Sequence, residues 1–173
     1  MISLLCTEEN SMAMKKCSPN VSPRNQPTSS TCWYSCLQML FEWKKKDTST
    51  IISTMDSSPN LFPYYMLENG IAPSECKETA KVLGLGWAGD GEIDAETLAN
   101  ALFTYGPYWV AGMWKKGSSH VIVVTGCDPE QGQIRYIDPW MNHDLSETWA
   151  TVSWLNARGK LWKETNGSLM YWV

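Results

Sequence analysis

The sequence contains no long hydrophobic run. Its longest uncharged apolar stretch, Leu102 to Trp114, covers 13 residues and has Gly106-Pro107 inside it, well short of the roughly 20 residues needed to cross a bilayer. A soluble chain with no membrane partner is expected. A basic block is also missing. Fourteen Lys and Arg against eighteen Asp and Glu give −4, scattered along the chain, so the electrostatic footprint of a nucleic-acid binder is absent. Nucleic acid is not an expected partner. The start, Met1-Ile-Ser-Leu-Leu-Cys6-Thr-Glu-Glu, has few apolar residues and no basic flank, which does not fit a cleavable secretory signal. The expected location is therefore cytoplasmic, or secreted without a cleavable signal peptide into a target cell.

Histidine is scarce. His120 and His143 stand 143 − 120 = 23 residues apart, and Cys32 and Cys36 have no second closely spaced pair. These are not the spacings of a zinc site, and no metal or other cofactor is expected. A Gly-Gly pair is absent as well, so self-processing at such a site has no support. The six cysteines, at 6, 17, 32, 36, 76 and 127, are an even number, which in a small secreted chain suggests bridges. Without a signal, a reduced compartment is the simpler reading, and it is what a working thiolate needs.

Tryptophan, in contrast, is abundant, with ten in 173 residues. Trp33, Trp114 and Trp140 flank the region of interest below. Large aromatics dominate burial in a domain of this size, so they serve first as core markers, with Trp33 and Trp140 also standing as candidate substrate contacts.

At 173 residues and 43% hydrophobic, the chain suits one domain with a sizeable core. Residues 1–25 are polar and aperiodic, an irregular leader or strap, and residues 26–173 form the expected domain. From Cys32, apolar residues at 33, 36, 37, 40, 41 and 43 follow helical spacing up to Lys44-Lys45-Lys46, with Ser29, Ser30 or Thr31 able to cap the start. Further helices are expected over Thr48 to Met55, Glu75 to Leu83 and Asp94 to Phe103, the last stopping at Gly106-Pro107. The pattern then changes. Tyr108 to Trp114, His120 to Thr125 and Gln133 to Ile137 are β-branched and aromatic runs separated by turn sequences, the mark of a three-stranded antiparallel meander. A short helix over Val152 to Arg158 and a last strand over Ser168 to Val173 complete an α+β architecture, a helical half packed on a C-terminal antiparallel sheet.

Four residues stand out against this framework. Only a thiolate is a strong nucleophile, and a free thiol near neutral pH is mostly protonated, with a pKa of about 8.5. Helix N-termini and neighbouring histidines favour the thiolate, and Cys32 opens a helix. His120 opens a strand of consecutive β-branched residues, and Asp138 ends the next strand 18 residues later, a separation that a hairpin closes. A carboxylate there would fix the imidazole tautomer. Gln26, six residues before Cys32, offers a neutral N–H, as does the Cys32 backbone, for the oxyanion of an acyl transfer. Each residue alone has an ordinary reading: a small buried hydrophobe, a half-buried histidine, a polar loop residue.

Taken together, Gln26, the six-residue step to Cys32, Trp33 directly after it, and the order Cys32, His120, Asp138 resemble the papain-like cysteine peptidases. The Asp138-Pro139-Trp140 ending and the short chain are most similar to compact bacterial members, the double-glycine leader peptidases and the AvrRpt2-like effector proteases. The resemblance implies a papain-like fold with Cys32 as nucleophile, His120 as general base and acid, Asp138 as orienter and Gln26 as oxyanion donor. Ser29-Ser30-Thr31 before the cysteine, and an aspartate as third member, depart from the larger papain enzymes, so substrate pockets do not carry over. His143, five residues past Asp138, is the alternative base, but strand placement favours His120.

The expected function is a cysteine peptidase that works through a Cys32 thioester on a protein or peptide, as a secreted bacterial effector or toxin. A toxin would imply a cognate inhibitor or immunity protein covering the cleft. The same chemistry also serves a peptidoglycan amidohydrolase or a glutamine deamidase, and the reading from another class is a catalytically inactive binding module on this fold.

Overall fold

The computed structural model describes residues 14–16, 19–89, 92–115, 118–141, 144–162 and 169–173. The chain's start, Cys6, Cys17, His143 and Ser168 lie outside these residues, as does the Trp114 side chain. Among the described residues, six helices and seven strands follow in the order β1 (Lys15–Lys16), α1 (Cys32–Trp43), α2 (Thr50–Asp56), α3 (Pro63–Asn69), α4 (Pro73–Leu83), β2 (Leu85–Ala88), α5 (Ala95–Tyr105), β3 (Tyr108–Lys115), β4 (Ser118–Asp128), β5 (Gln133–Ile137), β6 (Thr148–Thr151), α6 (Val152–Trp162) and β7 (Leu169–Trp172). No described helix is long and apolar enough to cross a membrane.

The fold is organised by one antiparallel sheet, in the order β2-β7-β3-β4-β5-β6. The expected meander is β3, β4 and β5. β7 returns from α6 to lie between β2 and β3, through Trp109↔Met170 and Gly86↔Tyr171. β1 pairs with the far end of β4, at Lys15↔Cys127 and Lys16↔Gly126, beyond the last β3 partner, Val124.

α1 is apolar almost all round, with Cys32, Trp33, Cys36, Leu37, Met39, Leu40 and Phe41 buried, the pattern of a central helix. Side chains alternate across a strand, and β7 shows where each layer sits. Trp172 Nε1 donates to Leu40 O of α1 at 2.9 Å, while Leu169 and Tyr171 point the other way, into a cavity shared with α5 and α6. α1 therefore packs on one face of the sheet and α5 and α6 cover the other. At the far end of α1, the Trp43 ring lies over Gly106, whose φ of +90° suits glycine and where a Cβ would overlap the indole. Trp43 Nε1 also donates to Pro19 O at 2.8 Å, Val21 is buried, and Arg24 pairs with Glu42. Residues 19–25 thus run along α1.

Local signals account for several boundaries. Asp94 caps α5 by accepting from Thr97 N at 2.9 Å, and Gly84, in the left-handed region, ends α4. Four elements were not expected from the sequence: β1, a two-residue strand inside the expected irregular leader, and three more. α3 starts on Pro63 with no side-chain cap, β2 contains a glycine in Leu-Gly-Trp-Ala, and β6 is a short and largely exposed edge strand. All three take their form from tertiary partners.

Candidate active site

Cys32 sits at the first position of α1, with Thr31 as its N-cap. The expected capping is corrected in detail, because Thr31 makes no side-chain bond to the helix. Its hydroxyl turns back instead, donating to Thr28 O and accepting from Thr28 N, each at 3.1 Å. The first helical bond is Ser35 N to Thr31 O at 3.0 Å, so the amides of the first turn have no side chain placed over them. Unpaired N–H groups at a helix start attract negative charge.

β4 delivers His120 opposite Gly112 of β3, and Asp138 follows β5 directly. Asp138 Oδ1 accepts from His120 Nε2 at 2.7 Å and from Trp140 N at 2.9 Å, so the turn after β5 aims the carboxylate. The His120 and Asp138 side chains are 12% and 22% exposed. Trp140 meets the imidazole edge-on, with centroids 5.7 Å apart at 80°. Cys32 lines the same cleft as the imidazole and interacts with it. Burial works against charge on the ring, but the hydrogen bonds and charges of Asp138 and Cys32 outweigh it and lift the His120 pKa from 6.5 to about 9. Near neutral pH the ring is therefore an imidazolium.

The other described thiols differ. Cys36, one turn beyond Cys32, is fully enclosed and donates to Val121 O at 3.5 Å. Burial raises its pKa, and Cys32 and Asp138 add to that. Burial pushes Cys76 up to about 12, helped by Glu75, and Cys127 up to about 11, helped by Asp128 and Asp94. All four are free thiols, and of them it is Cys32 that shares a cleft with His120.

Cys32 and His120 open on a cleft of about 100 Å³, walled by Ser29 and Ser30 before α1, Asn69 at the end of α3, Gly70 and Ile71 after it, and Trp162 at the end of α6. Sequence reasoning missed the 69–71 and 162 walls. Nothing local in the sequence links Gly70 to Cys32.

Gln26 is 2% exposed and anchored at both ends. Its backbone N–H donates to Pro139 O at 2.7 Å, and Nε2 donates to Thr28 O at 2.7 Å. This ties the loop before Cys32 to the turn after Asp138. Thr28 O takes one of the two amide hydrogens, and Oε1 is buried with no hydrogen-bond partner. The Trp33 expectation is corrected. Its indole is 0% exposed and donates to Met66 O at 3.2 Å, while Trp33 O accepts from Trp109 Nε1 at 3.0 Å. Enclosed in this way, Trp33 is a core side chain that braces the first turn of α1 and is out of reach of a ligand. Trp140, 37% exposed, remains open to one.

Residues 16–158 match the family described as papain-like cysteine protease AvrRpt2. The chain belongs to that family. The peptidase domain of Streptococcus ComA, a bi-functional ABC transporter involved in a quorum sensing pathway, has a similar structure, with a TM-score of 0.50 at 14% identity over 88% of this chain and 99% of that one. At that identity the likeness speaks to the fold, which is the papain-like α+β arrangement. No curated protein matches the sequence. The AvrRpt2 family match makes the chain a papain-like cysteine protease, a hydrolase with protein as its class of substrate.

Proposed function

We propose that Cys32 is the nucleophile, His120 the general base and acid, Asp138 the orienter, and Gln26 with the Cys32 backbone N–H the oxyanion donors. The 2.7 Å contact between His120 and Asp138, with Cys32 lining the same cleft as the imidazole, carries this reading. The Cys32 thiolate adds to the scissile carbonyl carbon while the oxyanion is held by the two N–H donors. As the C–N bond breaks, His120 gives its proton to the departing amine, leaving a thioester. His120 then takes a proton from water, whose oxygen attacks the thioester, and the acid product leaves with Cys32 restored. Asp138 holds the ring and offsets its charge throughout. Residues 26–173 are the hydrolase domain in this reading and residues 1–25 its leader or strap. The contacts of Pro19 and Val21 with the domain support the strap.

The finer proposal is a bacterial effector or toxin that acts on a protein inside a recipient cell, with a cognate inhibitor seated on the cleft beside Trp140. Resemblance to the AvrRpt2-like effector proteases supports it. The test treats whole-protein extract with wild-type or Cys32→Ala protein and labels new amino termini for mass spectrometry. Termini that appear only with the wild type support peptide-bond cleavage. Uncut proteins gaining about one dalton would replace it with deamidation, and amines released only from purified sacculi would replace it with a peptidoglycan amidohydrolase.

A further inference from the structure

The two strands that deliver His120 and Asp138 are not in simple register. Beyond Thr125 the pairs are Gly126↔Arg135, Cys127↔Ile134 and Asp128↔Gln133, while before it they are Val124↔Tyr136 and Val123↔Ile137, with a shift between Val124 and Gly126. Thr125 is one extra residue on β4, a β-bulge. Carried one step on, the observed register sets Asp138 opposite Ile122. Ile122 shares a strand face with His120, so the carboxylate meets the imidazole as a diagonal neighbour, within reach of two such side chains. Without the bulge, the pairing beyond it would run on to set Asp138 opposite Val123, on the other face, because a one-residue slip reverses every side chain.

The bulge is held by side chains. Thr125 is 2% exposed, and its hydroxyl donates to Glu147 Oε1 at 2.9 Å. Glu147 Oε2 accepts from Arg135 Nη1 at 3.1 Å, and the Arg135 guanidinium lies 4.0 Å from the centre of the Trp149 ring. Arg135 is the β5 partner of Gly126, directly after the bulge, and the partner of Trp149 on β6. The extra residue is thereby clamped across three strands.

We infer that Thr125 and Glu147 are positioning residues for the reaction: their bond holds the β4 bulge whose register brings Asp138 onto the face of His120. Bulges beside active sites re-aim side chains in this way. The inference rests on the proposed roles of His120 and Asp138. The two residues act only through the catalytic pair and touch no substrate.

The test compares Thr125→Val, which removes the hydroxyl at nearly constant shape, with Thr125→Ser, which keeps it. His120 is titrated by NMR, with its signals told from those of His143 by His143→Gln, and kcat and KM are measured across pH. In Thr125→Val the His120 pKa should fall from about 9 toward 6.5, the alkaline limb of kcat should move down with it, and kcat should drop between about ten- and a hundredfold at unchanged KM, as misplaced catalytic groups do. Thr125→Ser should restore the wild-type profile. A folded Thr125→Val with the wild-type titration and pH profile overturns the inference. Should that variant not fold, Glu147→Ala, at a side chain 26% exposed, is read by the same criteria. The NMR titration needs no substrate. If the wild type cleaves nothing while the titration responds to Thr125→Val, the peptidase reading fails and the positioning inference stands.

Discussion

The two faces of the sheet are packed differently. On the α1 face, Trp33 and Trp109 are fully buried and Trp172 nearly so, and each spends its indole N–H on a backbone carbonyl: Met66 at 3.2 Å, Trp33 at 3.0 Å and Leu40 at 2.9 Å. The opposite face retains a cavity of about 290 Å³ between α5, α6, β3 and β7, lined by Leu98, Ala101, Val110, Leu155 and Tyr171 among others. The denser face seats Cys32, the proposed nucleophile. Large amphipathic rings with satisfied N–H groups are stiff anchors, and three of them bind α1 to α3, β3 and β7, so Cys32 sits on a helix that has little freedom to shift. The cavity itself is lined by neither Cys32, His120 nor Asp138, although His120 shares its sheet face by alternation with Ile122, the partner of the cavity-lining Val110.

Substitutions on the two faces should differ accordingly, and the largest effect is at the sulfur itself. Cys32→Ala should lower kcat/KM by roughly 10⁴-fold or more with the circular dichroism spectrum unchanged. A smaller loss would detach the reaction from the α1 face. Next, Trp109→Ala should destabilise by about 3–5 kcal/mol in urea unfolding, the cost of an emptied aromatic site, and should slow turnover in the fraction that remains folded. Asp138→Asn should reduce kcat/KM by roughly 10- to 1000-fold and displace its alkaline limb downward. The sign follows from His120, whose folded pKa of about 9 exceeds the ordinary 6.5. The contribution of the charged pair is fully present below about 6.5 and is lost as pH rises through about 9, so the wild type should remain active until then and the variant should fail earlier. The smallest effect belongs to the cavity face. Ala101→Leu should fill space there and raise stability by up to about 1 kcal/mol with kcat/KM unaltered. A changed kcat/KM would show that the two faces are coupled.

The fold was legible wherever a local pattern forces one answer. α1 could be read from its apolar spacing, α5 from its pattern and the Gly106-Pro107 stop, and β3 to β5 from β-branched runs separated by turns. α3, β2 and β6 could not be read. They span seven, four and four residues, too few for a periodic signal, and each is stabilised by what it packs against or pairs with. Of the site, Cys32, His120 and Asp138 were visible by type and order, and the structure brings them together. The burial of Trp33 was not visible, because helical spacing alone cannot say that α1 is covered all round. Of the three capping candidates Thr31 takes the N-cap position, yet its hydroxyl bonds to Thr28 and not to the helix.

The sequence by itself determined which residues could do the chemistry and in what order they occur along the chain: a thiol at a helix start, an imidazole at the head of a strand, a carboxylate at the end of the next. It did so because helix starts, strand runs and turns are short-range properties. Only the tertiary structure decided that these residues meet. The contact depends on one extra residue at Thr125, clamped by Glu147 and Arg135, and on a loop that ties Gln26 to Pro139. Strand register is a relation between segments, and a slip of one residue leaves every local pattern intact while sending Asp138 to the wrong face.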